Sequence, residues 1–445
     1  MTSEDFPAPP PGCPAHGSGQ RIPMYTAEFA ADPQAYFDYM RHHGSTAPVE
    51  LAPGVEATLV TDYAAALDLL QNPGDFRKDP RRWRDLNEGR ISPDSPVLPL
   101  LGPRPTCMFT DGAEHLRLRQ AVTESFARVD SHRLSVNVDR IAHYLLAQFS
   151  TRGSADLLND YAKQLPLFVF NELFGCPAEI GDRVMFGVSG IFDGINAERA
   201  NEVLIQAVAE LVALKRSRPG DDVTSWLMQH PAKLDDAEMI HQLVLLIGAG
   251  AEPLRNLIAN TVHLLLTNDR YAQNGLLEDA LDETLWHNPP ISNYAPHYPA
   301  RDMEFAGGKL SAGDLVLVGF QAANAASARA AGGQTSNRAH LAWSAGPHAC
   351  PSKEPARLIT LAAIEHLFNE LPDVELAVPE ESLTWRPGPF NRALAQLPAR
   401  FTPTTPRRSV QPQPTRTEQE AAADATASNK ERGGLWSSFL KWVRA

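Results

Sequence analysis

The chain has 445 residues, 43% hydrophobic and 21% charged, enough apolar material for a large core. Its 40 Lys and Arg against 53 Asp and Glu leave a net charge of −13, which excludes a phosphate-backbone binder relying on a basic footprint, so no nucleic-acid partner is expected. The longest apolar run, Leu243 to Ala251, is far shorter than the roughly 20 residues of a spanning helix, and no basic-then-apolar leader opens the chain, so a cytoplasmic location is expected.

Residues 1–24 are rich in Pro, Gly and Ser and are expected to form a disordered lead. From 25 to 402 the pattern is mainly helical, with amphipathic runs near 32–43, 61–71, 112–127, 132–150, 155–174, 197–216, 235–267, 274–287 and 354–370. Strand signals are few. Val49 to Ala52 and Val55 to Thr61 flank the turn Pro53-Gly54, while Met303 to Leu310 and Leu315 to Phe320 read as a second pair around Ser311 to Asp314. The expected class is mainly α with a minor β-sheet region. Residues 403–434 form a polar, low-complexity linker, and 435–445 a short amphipathic helix. In that tail Leu435, Phe439, Leu440, Trp442 and Val443 share one side, as an interfacial membrane helix or a docking peptide would require; a helix folded back on its own core is the alternative.

Cys13, Cys107, Cys176 and Cys350 show no CxxC or zinc spacing, so neither a disulfide framework nor a cysteine metal site is expected. Cys350 stands apart. In HLAWSAGPHACPSKEPAR, residues 340–357, it lies on a tight loop before a helix, where exposed amides and the helix dipole favour a thiolate. Asp111 and Glu114 read as a capping box for a helix that carries His115 and Arg119 one turn apart on an apolar stripe, a pair that needs an anion if buried. A second capping box, Asp235 with Glu238, opens a helix reaching about Thr267, in which Pro253 deprives the Ala249 carbonyl of its partner and predicts a kink.

HLAWSAGPHAC resembles the haem-binding loop of the cytochromes P450, with Trp343, Gly346, His348 and Cys350 matching and Ser344 and Ser352 standing where Gly is usual. DGAEHLRLR (111–119) resembles the family's helix at the haem edge, and AGAEPL (249–254) its distal helix, with Ala249, Gly250 and Glu252 matching and Pro253 replacing the usual Thr. DETLWHNPP (282–290) resembles the Glu-x-x-Arg segment, with Trp286 at the Arg position; Arg338 is the expected substitute cation for a buried Glu283. The strand-pair region aligns His297 with a propionate-binding position, and residues 383–401 resemble the terminal hairpin.

The resemblance, over about 25–402, implies one helical haem domain that binds haem b (iron protoporphyrin IX) between the long helix and the Cys350 loop. It implies a monooxygenase of small organic substrates, supplied with electrons by a ferredoxin and ferredoxin reductase. Cys350 would be the metal ligand; His115, Arg119, His297 and His348 would anchor the propionates, and Trp343 and Gly346 would shape the loop. Ala249, Gly250 and Glu252 would border the oxygen pocket, with Glu252 as proton relay. The departures at Pro253 and Trp286, with the unusual tail, raise the alternative of a catalytically weakened haem protein acting as a redox or signalling partner. Peroxide-driven oxidation ranks third. A tail contact with a protein or membrane surface would make the location peripheral.

Overall fold

The computed structural model describes residues 21–193, 197–272, 276–330, 338–405 and 434–444. Most of the predicted linker, and the lead up to residue 20, lie outside this set. The remainder of the lead is ordered: Ile22 and Met24 are buried, and Ile22–Pro23 forms strand β1. Two apolar side chains that find an existing sheet edge offset the ordering of four residues.

The major sheet has the order β1-β2-β3-β9-β6-β4. Here β2 is Thr46–Ala52, β3 Val55–Val60, β4 Phe76–Arg77, β5 Ser154–Asp156, β6 Asn293–Pro299, β7 Met303–Phe305, β8 Gly308–Leu310, β9 Val316–Gly319, β10 Glu375–Leu376 and β11 Pro398–Arg400. The β2–β3 hairpin turns at Pro53-Gly54 as predicted, with Gly54 at φ +77° donating its N–H to Glu50 at 2.8 Å. The predicted pairing around Ser311 is corrected. β7 pairs with β8 across Ala306-Gly307, while β9 runs parallel to β3 and antiparallel to β6. The all-apolar Val316–Gly319 suits a central strand buried on both faces, which a local hairpin cannot provide. β6 escaped prediction because NYAPHYP carries two prolines; it puts His297 opposite Val316.

The principal helices are α1 (Pro33–His43), α2 (Tyr63–Gln71), α3 (Gly112–Phe126), α4 (Ser131–Ala147), α5 (Gln164–Leu173), α6 (Ala178–Asp193), α7 (Ala197–Ser217), α8 (Asp236–Thr267), α9 (Leu277–His287), α10 (Phe320–Ala330), α11 (Lys353–Glu370) and α12 (Leu435–Arg444). Asp235 and Glu238 form the predicted capping box of α8. Asp111 does not cap α3: its carboxylate accepts the Lys78 N–H at 3.0 Å and the Asp79 N–H at 3.2 Å, tying the loop after β4 to the helix start. The predicted helix 155–174 is divided into β5, a widened turn over Leu157–Ala162, and α5.

α6 was not predicted, because Gly181, Gly187 and Gly190 lower helix propensity. At two of them a methyl group would collide: a Cβ on Gly187 would sit 2.6 Å from the Leu204 Cβ of α7, and one on Gly181 2.2 Å from the Trp436 ring of α12. The glycines permit close helix packing. Trp436 and Phe439 are buried among Tyr144 and Phe168, Asp182 accepts the Trp436 N–H at 2.8 Å, and the indole N–H donates to Cys176 O at 3.2 Å. The tail is therefore a helix folded onto its own core, and its aromatic face is unavailable to a membrane or a partner while docked.

Candidate active site

The Cys350 loop is held by short-range geometry. The Cys350 N–H donates to Trp343 O at 2.9 Å and the Ala349 N–H to Gly346 O at 3.1 Å. Gly346 has φ +67°, and a Cβ there would lie 2.2 Å from Leu70 O at the end of α2, so only glycine fits. Ser344 takes φ +60° without being glycine, a strain of about 1–3 kcal/mol that the loop absorbs where the family has Gly. The predicted thiolate-favouring position is outweighed by burial, which pushes the Cys350 thiol up against the opposing hydrogen bonds of Ser352 and the charges of Arg119 and Lys353.

Beside the loop, four segments bring basic groups together. α3 supplies His115 and Arg119, β6 supplies His297, the loop supplies His348, and the residue after β4 supplies Lys78. His115 stacks on His348 with ring centroids 3.9 Å apart, and Arg119 donates to Ala349 O. Lys78, His115 and His297 are all less than 5% exposed. Burial, then the Lys78 charge and the neighbouring His115 and Arg119, push His348 down to about 2. Burial and then Arg119 lower His115; burial and then Lys78 lower His297 well below the ordinary histidine range. Lys78 is itself pushed down to about 7 by burial, against the pull of Asp111. That aspartate is occupied by backbone amides. The His115 Nε2 is buried without a hydrogen-bond partner, as is the Trp343 Nε1. Among the described residues Asp111 is the anion that acts on Lys78 and His115, and the donors left without a partner fit a group bearing carboxylates. Lys78 was missed in the sequence because nothing near it in the chain marks it; only the sheet brings it to α3.

On α8, Ala249 is exposed although Ile247 and Ala251 are buried, so a small side chain opens a notch in the middle of a core helix. Gly250 is required, because a Cβ there would meet the Phe170 ring at 2.4 Å. The helix continues through Pro253. Glu252, 3% exposed, is committed elsewhere: it pairs with Arg255 at 3.3 Å and with Arg386 of the terminal hairpin, and accepts from Asn256 at 3.2 Å. The proton relay expected of Glu252 would require one of these ion pairs to open.

The expected Arg338–Glu283 pair does not form. Arg338 donates to Asp282 at 2.8 Å and to Glu278, and the buried Arg357 of α11 pairs with the same Asp282. Glu283 is 28% exposed and faces His287 at 3.5 Å. The acidic position thus lies one residue earlier, and Trp286, 2% exposed, packs edge-on against His340 with centroids 5.8 Å apart. Two shallow clefts lie away from the loop, one beside Trp385 and Arg392 and one beside Phe192 and Glu252.

A thiol on a tightly turned loop, a cluster of basic side chains beside it and a notched core helix are the arrangement expected of a haem-thiolate protein. No model of a known protein family matches the chain. Individual relatives do. Cytochrome P450 107B1 of Saccharopolyspora erythraea is 30% identical over 365 residues, covering 78% of this chain and 90% of its own. The mycinamicin IV hydroxylase/epoxidase of Micromonospora griseorubida is 32% identical over 367 residues, covering 78% and 89%. Among solved structures, CYP154C4 from Streptomyces sp. W2061 superposes with a TM-score of 0.77 at 28% identity, covering 85% of this chain and 97% of its own. The chain belongs to the cytochrome P450 superfamily, and with it to the haem-dependent monooxygenases. No helix among the described residues is long and apolar enough to cross a membrane.

Proposed function

We propose that the protein is a haem-thiolate monooxygenase that oxidises a small organic molecule, with haem b held by the Cys350 loop and electrons delivered by a ferredoxin and its reductase. The observation that carries this reading is the cluster of Lys78, His115, Arg119, His297 and His348 gathered beside Cys350, in which Lys78, His115 and His297 are buried and the His115 Nε2 has no hydrogen-bond partner. Cys350 would supply the sulfur ligand in this reading. A thiolate-ligated haem supplies the activation of dioxygen, favoured by electron density pushed from the sulfur.

The chain's own residues then divide the work. Arg119 and Lys78 would hold the propionates through charge-assisted hydrogen bonds, with His115, His297 and His348 as further ring N–H donors. Gly346 and Ser344, both at positive φ, hold the turn of the loop that carries the sulfur. Ala249 leaves space beside α8, and Pro253 leaves the Ala249 carbonyl without a helical donor, available to a water or a substrate hydroxyl. Glu252, with Arg255 and Arg386, anchors the terminal hairpin to α8 and has a positioning role.

The test is the absorption spectrum of the reduced, carbon-monoxide-bound protein, in wild type and Cys350→Ala, followed by dioxygen and electron consumption with a surrogate ferredoxin system. The reading requires a thiolate-type band that the substitution abolishes, and electron use coupled to product. Haem bound equally well without Cys350 refutes the ligand; a thiolate band without turnover refutes the oxygenase and leaves an electron-relay protein.

A further inference from the structure

α4 and α11 pack side by side, and each presents a pair of side chains four residues apart on one face: Asp139 and His143 on α4, His366 and Glu370 on α11. One ligating atom from each of His143, His366 and Glu370 lies within 4.8 Å of the other two. The two imidazoles meet edge-to-face with centroids 6.2 Å apart. The His366 Nε2 is buried with no hydrogen-bond partner, while its Nδ1 faces Asp139 Oδ1 at 4.0 Å. At 4.0 Å the two are in charge contact rather than hydrogen-bonded, and a shift of about 1 Å would let the carboxylate fix the tautomer of a metal-ligating histidine and leave the other nitrogen for the metal. Glu370 closes α11, where the helix dipole favours a cation. Trp442 of the tail stands 6.0 Å from the His143 ring and covers that side. These residues belong to neither the basic cluster around His115 nor the Cys350 loop.

We propose that His143, His366 and Glu370 form a binding site for a zinc-class divalent metal, with Asp139 orienting His366 and a water completing the coordination. A tetrahedral site with bonds of about 2.0–2.1 Å needs ligand atoms roughly 3.3 Å apart, so rotamer adjustments of about an ångström on the two packed helices suffice. Imidazole and carboxylate ligands select zinc, copper or nickel over magnesium and calcium, which prefer all-oxygen sites. Bound there, the metal would cross-link α4 to α11, the helix that follows the Cys350 loop, beneath the docked tail.

The test uses the full-length, haem-loaded protein, stripped of loose metal with a chelator and titrated with zinc by calorimetry, with bound zinc counted by atomic absorption. One zinc per chain is expected, with an affinity that falls by about a hundredfold or more in His143→Ala and in His366→Ala, and is unchanged in Cys13→Ser, which removes a thiol ligand outside the described residues. Loading wild type with copper gives an independent readout that needs no variant: its electron paramagnetic resonance spectrum should carry the hyperfine pattern of two imidazole nitrogens. Absence of stoichiometric zinc at about 100 µM, equal affinity in the histidine variants, or copper without imidazole ligation would each overturn the site.

Discussion

Gly181→Ala offers a prediction whose sign depends on the tail. In an exposed helix interior this substitution should stabilise the chain by about 1 kcal/mol, since alanine loses less entropy on folding. In α6 the new methyl would lie 2.2 Å from the Trp436 Cδ1 and 2.6 Å from its Nε1, so α12 must move by more than an ångström or leave. At stake are the burial of Trp436 and Phe439, about 1.5–3 kcal/mol each from area alone, and the hydrogen bonds to Asp182 and Cys176 O. Asn171 Nδ2, 2.8 Å from the same point and 1% exposed, must give way as well. A net loss of about 2–4 kcal/mol is expected in the full chain, limited by the docking energy because a released tail carries away the clash. In a chain truncated after Thr405 the same substitution should be neutral or stabilising by up to about 1 kcal/mol. Urea unfolding of the four proteins gives the cycle, and amide exchange at Trp436 and Ser437, both donors to Asp182, reports the docking directly. Equal stabilisation by Gly181→Ala in the long and short chains would refute the docked tail.

Other consequences follow from the buried charges. Glu252→Gln should cost about 3 kcal/mol by leaving Arg255 and Arg386 less compensated, seen as a lower urea midpoint; unchanged stability with lost turnover would point to a relay role for Glu252. Lys78→Met should weaken haem retention in a transfer assay to apomyoglobin by at least about tenfold, with an equal rate contradicting its place in the propionate cluster. His340, 6% exposed, is pushed down to about 4 by burial, so the unfolded chain takes up a proton between pH 6.5 and 4 that the folded chain refuses. Its contribution is therefore complete above pH 6.5 and is lost as pH falls through 4, roughly 3 kcal/mol in all, and His340→Phe should flatten that part of the stability profile.

What the sequence revealed and what it hid divides along chain separation. The Cys350 loop was legible because its constraints are local: Gly346 and the turn it makes lie within a few residues of the thiol, and the departure at Ser344 appears as a positive φ at that same residue. The long α8 was legible from its capping box and period. Lys78 was hidden, since its role arises only when β4 meets β6 and Asp111 draws the strand end to α3. The carboxylate partner of Arg338 was misplaced by one residue, because pairing follows the face of α9: Asp282 points to α11, whereas Glu283 is turned toward solvent and His287. α6 and the tail failed together for one reason. Three glycines argue against a helix locally, and an aromatic stripe argues for an outside partner, yet Gly181 is the hollow into which Trp436 fits. Each half is anomalous alone, and their shared contact, about 250 residues apart in the chain, removes both anomalies.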